Sequence, residues 1–219
     1  AVEYQRIGRN NVAVELYFMA EEHIGLSSTT LHPKSSQYLT NILLIVNDEL
    51  SQVLTSGDNR AMVIQLASKV NMKFVRGHLR GRMREADKQH FDTFSLLLRL
   101  ISFFNLYDAK KYYEAYDLIA KAGIIPFQRE RIDTAVKIFN SLDETIQRKM
   151  SDIISTCMNI LYKLNLQEKA KASAVSSTVQ QTEIRHRANT LLTFAGYIQN
   201  FISSDCYGKL IKLNVAMGS

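Results

Sequence analysis

The sequence predicts an all-α fold, an irregular α-solenoid of stacked antiparallel helices. Three observations carry this. Apolar residues recur at i, i+3, i+4 and i+7 along nearly the whole chain, the spacing of one buried helix face. Two prolines and nine glycines in 219 residues are too few for a turn-rich all-β sandwich or a collagen repeat. The β-branched residues sit within the helical spacing, and no Asn-Gly or Asp-Gly hairpin signal occurs. About eight to ten helices of roughly 10–22 residues can be buried as a bundle or as a stack of helical hairpins. No tetratricopeptide or HEAT repeat is visible, so the stack is irregular. The chain opens Ala1-Val2-Glu3-Tyr4 without an initiator methionine and reads as a fragment of something longer.

The first helix spans 12–22, with Val12, Leu16, Met19 and Ala20 on one side and Asn11 as a candidate cap. Residues 25–35 are polar, hold Pro33 and read as a loop. A helix from Ser36 to Leu54 follows, with Leu39, Ile42, Leu43, Val46, Leu50, Val53 and Leu54 in register. Residues 55–59 end it and cap the next, whose stripe is Met62, Val63, Leu66, Ala67, Val70 and Phe74 and which stops at Gly77. A further loop is expected near 77–87. From Asp87 a helix reads as apolar nearly all round, through Phe94, Leu97 and Leu100 to Phe104, so it should be buried among others. Residues 109–122 place Ala109, Tyr112, Tyr113, Tyr116 and Ile119 on one face, with Gly123 at C′ and Pro126 blocking continuation. A short helix carries Ile132, Ala135, Val136 and Phe139. Ser141-Leu142-Asp143-Glu144 is a capping-box pattern that opens one long helix from Leu142 to Leu164. Residues 165–182, rich in Ala, Ser, Lys and Gln, read as a flexible loop. Helix returns with Ile184, Ala188, Leu191, Leu192, Ala195, Ile198 and Phe201, and a last helix runs from Asp205 to about Met217.

Composition excludes several classes. At 46% apolar the chain can bury a core and is not a disordered polar chain. Two distant cysteines neither staple a secreted scaffold nor close a zinc site alone, and they suit a reducing compartment. No stretch reaches the ~18 uninterrupted apolar residues of a bilayer span. The nearest, 91–107, carries Asp92, Arg99 and Asn105. A net charge of +6 permits acidic proteins, RNA or an anionic membrane as partners and demands none of them.

Little in the sequence carries chemistry. His23, His32, His78, His90 and His186 are dispersed, and no Walker, Rossmann, HExxH or GxSxG pattern occurs. Cys157 lies in an apolar stripe, where desolvation raises its thiol pKa. His186, between Arg185 and Arg187, reads as part of a solvated helix face. Two groups are candidates for partner binding. Arg76, Arg80, Arg82 and Arg84, with His78 and Lys88, lie within thirteen residues, relieved by Glu85 and Asp87. Such a cluster can displace counterions from a nucleic acid, dock on an acidic protein, or be a hydrated loop. Tyr112, Tyr113 and Tyr116 either anchor a partner helix or pack on their neighbour around Phe103 and Phe104. No catalytic, metal or cofactor residue is assigned.

Four segments carry a resemblance. They are the helix Phe91-Asp92-Thr93-Phe94-Ser95-Leu96-Leu97-Leu98-Arg99-Leu100 with Phe103-Phe104, then Ala115-Tyr116-Asp117-Leu118-Ile119 with Ile124-Ile125-Pro126, then Met158-Asn159-Ile160-Leu161-Tyr162, and Thr190-Leu191-Leu192-Thr193-Phe194-Ala195-Gly196. In this order they resemble the ninety-three-kilodalton nucleoporin family, also called the nucleoporin-interacting component family, over residues 88–217. Upstream, only helical-repeat character is recognisable. The resemblance implies that 1–219 is a single C-terminal segment of the family's α-solenoid. It implies a scaffold of the nuclear pore inner ring at the nuclear envelope, supporting transport of protein and RNA. Its partners would be other nucleoporins, with no cofactor, small-molecule substrate, enzymatic activity or membrane span. The family's N-terminal region, which recruits the channel nucleoporin trimer and a large inner-ring solenoid, has no counterpart in these residues. The alternative is a helical-repeat nucleic-acid binder using the Arg76–Arg84 loop. An enzyme would need a constellation formed only by the fold.

Overall fold

The computed structural model describes residues 1–6, 8–27, 33–170 and 175–218. The described residues form helices and turns without a strand. The chain divides into two compact units, Ala1–Leu98 and Arg99–Ser219, with the boundary inside one helix.

The first unit holds α1 (Val2–Arg6), α2 (Asn10–Ser27), α3 (Pro33–Gln52), α4 (Arg60–Arg76) and the first part of α5 (Glu85–Asp108). Helices α2 and α3 pack as an antiparallel hairpin. The Asn10 amide donates to Glu49 across their open ends, and the Ser35 hydroxyl donates to Glu21 near the connection. Leu39, Ile42, Leu43, Val46 and Leu50 of α3 are buried as the spacing predicts, and so is Leu54, although the helix ends at Gln52 and not at Leu54. An aromatic ladder crosses the unit. Ring centroids are 6.3 Å apart for Phe18–Phe74, 5.4 Å for Phe74–Phe91 and 6.1 Å for Phe91–Phe94.

Two readings of α2 need correction. The helix starts at Asn10, so Asn11 is an exposed residue inside it and not its cap. Its buried side is Ala13, Val14, Tyr17, Phe18 and Glu21, whereas Met19 is 55% exposed. Both faces fit the helical period; the aromatic side chains fill the space beside α3 and α4, and that selects the face. The expected 25–35 loop is shorter. Helix α2 continues to Ser27 and α3 begins at Pro33, while 28–32 lie outside the described residues. Proline at the first helical position costs nothing, because its missing N–H would have had no intrahelical partner. At the next connection the Asn59 side chain makes no cap bond. The Arg60 guanidinium instead donates to the Val53 and Leu54 carbonyls just past the end of α3.

The second unit holds the rest of α5, α6 (Tyr112–Ala122), α7 (Ile132–Ser141), α8 (Glu144–Gln147), α9 (Met150–Ala170), α10 (Val175–Tyr197) and α11 (Ser204–Gly218). Helix α9 is central and packs on α6, α10 and α11. The Cys206 thiol meets the Ser151 carbonyl at 3.6 Å, which sets the start of α11 beside the start of α9. The two therefore run the same way, as alternate members of an up–down stack do. Helix α5 is not apolar all round: Asp92, Arg99 and Asn105 are exposed. Lys110, at φ 60°, turns the chain before α6, so Ala109 lies in the turn and not on the helix face. Gly123 ends α6 at φ 73°, the left-handed conformation its C′ position needs.

The expected long helix from Leu142 is broken. Helix α7 ends at Ser141, whose hydroxyl donates back to the Ile138 carbonyl. Asp143 is the cap, accepting from the Thr145 N–H at 2.9 Å and opening the single turn of α8 before α9. The expected 165–182 loop is largely helix, with α9 reaching Ala170 and α10 starting at Val175. Residues 171–174 lie outside the described residues. Lys, Gln, Glu and Ala make a segment poor in core residues but rich in helix formers. Asn165 and Glu168 are even buried. Among the described residues no helix is long and apolar enough to cross a membrane.

Candidate functional site

The arginine turn follows from how α4 stops. The Gly77 N–H caps the Lys73 carbonyl, and a Cβ there would meet that oxygen at 2.9 Å and Leu79 at 3.1 Å. His78 then adopts φ 49°, and a 3₁₀ turn over Leu79–Arg82 leads toward α5. Leu79 and Met83 are buried, so the turn is pinned by apolar contacts on one side. The arginines occupy the other.

Most of them are committed to carboxylates of the same unit. Arg82 pairs at 2.5 Å with Glu21, whose side chain is almost fully buried. Arg84 donates from Nε at 2.5 Å and from Nη2 at 3.2 Å to Asp87. The Ser36 hydroxyl donates to the same carboxylate at 3.1 Å and accepts from the Arg84 N–H. The Arg84 bonds hold the Asp87 carboxyl below its ordinary range, with Ser36 adding to the effect and desolvation opposing it. Arg80 pairs with Asp92 at 2.9 Å on the surface and lies 5.6 Å from the Phe91 ring centroid. Arg76 differs: it is exposed and has no ion-pair or hydrogen-bond partner among the described residues. The cluster is thus a clasp joining α2, α3 and α5, with one arginine outside it.

The tyrosines lie in the second unit. The ring contacts of Tyr112 and Tyr116 are with residues other than Phe103 and Phe104. Tyr112 packs against Tyr107 at 6.0 Å. The Tyr113 hydroxyl donates to Glu168 at 2.6 Å while its ring stays exposed. Tyr116 lies 4.7 Å from Phe127, with the Arg187 guanidinium 5.1 Å from its ring centroid. Burial raises the Tyr116 pKa, and Arg187 works against it. Arg187 is held by Glu183 at 2.9 Å. A cavity of about 650 Å³ is walled by Tyr113, Tyr116, Leu164, Glu168, Ile184 and Arg187. Sequence reasoning missed Glu168 because it assigned 165–182 to a loop. It placed Arg187 on a solvated face, though the side chain covers Tyr116.

Nothing in either group forms a nucleophile–base pair. Cys157 is buried, and desolvation drives its thiol pKa far up. His186 is exposed. Among the described residues no three His, Cys, Asp or Glu side chains converge to hold a metal. What both groups offer is surface.

The family model described as Nup93/Nic96 matches residues 1–209. It therefore reaches upstream of residue 88, where sequence reading saw only helical-repeat character. Nuclear pore complex protein Nup93 of Xenopus tropicalis is 27% identical over 203 residues, covering 90% of this chain and 24% of that protein. The Xenopus laevis protein gives the same identity and coverage. Nup93 of Danio rerio is 24% identical over 223 residues, covering 99% of this chain and 25% of that protein. The chain thus spans about a quarter of the length of the curated relatives it matches. The crystal structure of Chaetomium thermophilum Nic96 SOL superposes with a TM-score of 0.78 at 14% identity, over 97% of this chain and 32% of that one. At that identity the likeness concerns the fold, a helical solenoid.

Proposed function

The chain belongs to the Nup93/Nic96 family, and from that premise we propose that it is a scaffold segment of the nuclear pore complex inner ring. It docks other nucleoporins at the nuclear envelope and supports transport of protein and RNA through the assembled ring. It acts without catalysis. The observation that carries this reading is the family match over nearly the whole chain, residues 1–209. Stacked helices support it physically, since each helix gains stability from its neighbours and the stack leaves long side faces for docking. We place the segment in the C-terminal part of the family's solenoid. The nucleic-acid reading of the arginine loop loses its basis, because Arg80, Arg82 and Arg84 already neutralise carboxylates of the chain.

Localisation and capture test this. The tagged gene product is expected at the nuclear rim; diffuse localisation would overturn the proposal. Affinity capture from nuclear-envelope extract should recover inner-ring nucleoporins with the full-length protein. Recovery by residues 1–219 alone would place a docking surface within them. Recovery by the full-length protein only would move the contacts elsewhere in the polypeptide.

A further inference from the structure

Helix α4 has two faces. Val63, Ala67, Val70 and Phe74 face the core. Met62, Leu66, Lys69, Met72 and Arg76 form a second stripe, spaced by three or four residues and therefore on one side of the helix. This second stripe has no helix on it among the described residues. It forms one wall of a groove whose other wall is α2, through Val12, Glu15, Phe18 and Glu22. The groove comprises two cavities of about 690 and 260 Å³ that share Glu15 and Lys69. Met62 and Met72 are 55% and 45% exposed. Unbranched, polarisable methionines adapt to varied apolar surfaces.

The charges select the occupant. Helix α4 carries Arg60, Lys69, Lys73 and Arg76 and no acidic residue. Arg60 is occupied by the Val53 and Leu54 carbonyls, and Lys73 pairs with Glu22 at 3.3 Å. Arg82 is occupied by Glu21. Lys69 and Arg76 remain exposed, with no partner among the described residues, against the single unpaired lining acid Glu15. They are seven residues apart, so about 10 Å separates them along the axis. From Met62 to Arg76 the stripe runs about 21 Å.

We propose that the α2–α4 groove docks an acidic amphipathic helix of a partner protein. The partner helix spans about four turns, lays its apolar side on Met62, Leu66 and Met72, and sets two carboxylates seven residues apart against Lys69 and Arg76. The inference takes the scaffold reading as its premise. It is tested on the isolated chain, so its failure is separate from failure at the nuclear rim.

The probe is a displayed library of randomised helical 16-residue peptides (about the length of the stripe), selected on the full chain. Enriched peptides are expected to carry Asp or Glu seven apart with Leu, Met or Phe between. They should bind K69E/R76E at least about tenfold more weakly, because two exposed charge contacts become repulsive. The same double reversal at Lys137 and Lys212, in the other unit, should leave affinity within about twofold. Circular dichroism melting checks that each variant folds. Enrichment of basic or neutral peptides, no enrichment, or equal loss in the K137E/K212E control would overturn the proposal. So would tighter binding of a single-stranded RNA 20-mer that K69E/R76E abolishes, or a dimer of the chain that the same variant dissociates.

Discussion

Arg80 and Arg82 are two residues apart in one turn, yet their partners sit in different surroundings. Asp92, the partner of Arg80, is exposed, so water and salt screen the pair. Glu21, the partner of Arg82, is nearly buried, and its carboxylate meets that guanidinium and accepts from the Ser35 hydroxyl. Arg82→Ala should cost about 2–4 kcal/mol, since it strands a buried carboxylate. Arg80→Ala should stay within about 0.5 kcal/mol. Urea unfolding of both variants checks the contrast; equal costs would remove the clasp. Asp87 adds a pH signature. Its folded pKa lies below its unfolded one, so its stabilisation is complete above the ordinary carboxyl pKa near about 3.9 and fades as pH falls through the folded value. The stability gap between wild type and Asp87→Asn should therefore be widest at neutral pH and shrink in acid. A gap independent of pH would contradict the role assigned to the Arg84 and Ser36 bonds.

Element boundaries show where local rules compete. Ser141 and Asp143 both satisfy a capping pattern on paper. The chain uses Asp143, because Leu142 turns to an extended conformation at the end of α7 and the Ser141 hydroxyl bonds inside the helix it ends. Asp143→Ala should then destabilise by about 1 kcal/mol, and Ser141→Ala by no more than about 0.5 kcal/mol. Thermal melts of the pair decide it; the reverse order would restore the single long helix. The 165–182 segment teaches a related lesson. Few apolar residues argued for a loop, but helix propensity and core content are separate quantities. Once α9 continues, Glu168 comes within reach of Tyr113, a partner 55 positions away.

At the scale of the molecule, each unit holds its own core. Leu97 is fully buried in the first and Leu191 in the second, whereas Leu192, which periodicity also places inside, is only half-buried. Leu97→Asp should destabilise the first unit by more than about 4 kcal/mol, because an unpaired charge enters an apolar core. Leu192→Asp should be milder. In a stack stabilised by nearest neighbours, hydrogen exchange in Leu97→Asp should rise mainly within residues 1–98. A uniform rise through 99–219 would speak against that locality. The helical class, most buried stripes, the Gly123 stop and the family resemblance were all readable in order along the chain, because they rest on spacing and on local backbone chemistry. Tertiary structure alone decided which of two adjacent faces α2 buries, which arginines are spent on Glu21 and Asp87, and which cations of α4 stay free. Those outcomes depend on side chains that meet across tens of residues, and no local pattern records such pairings.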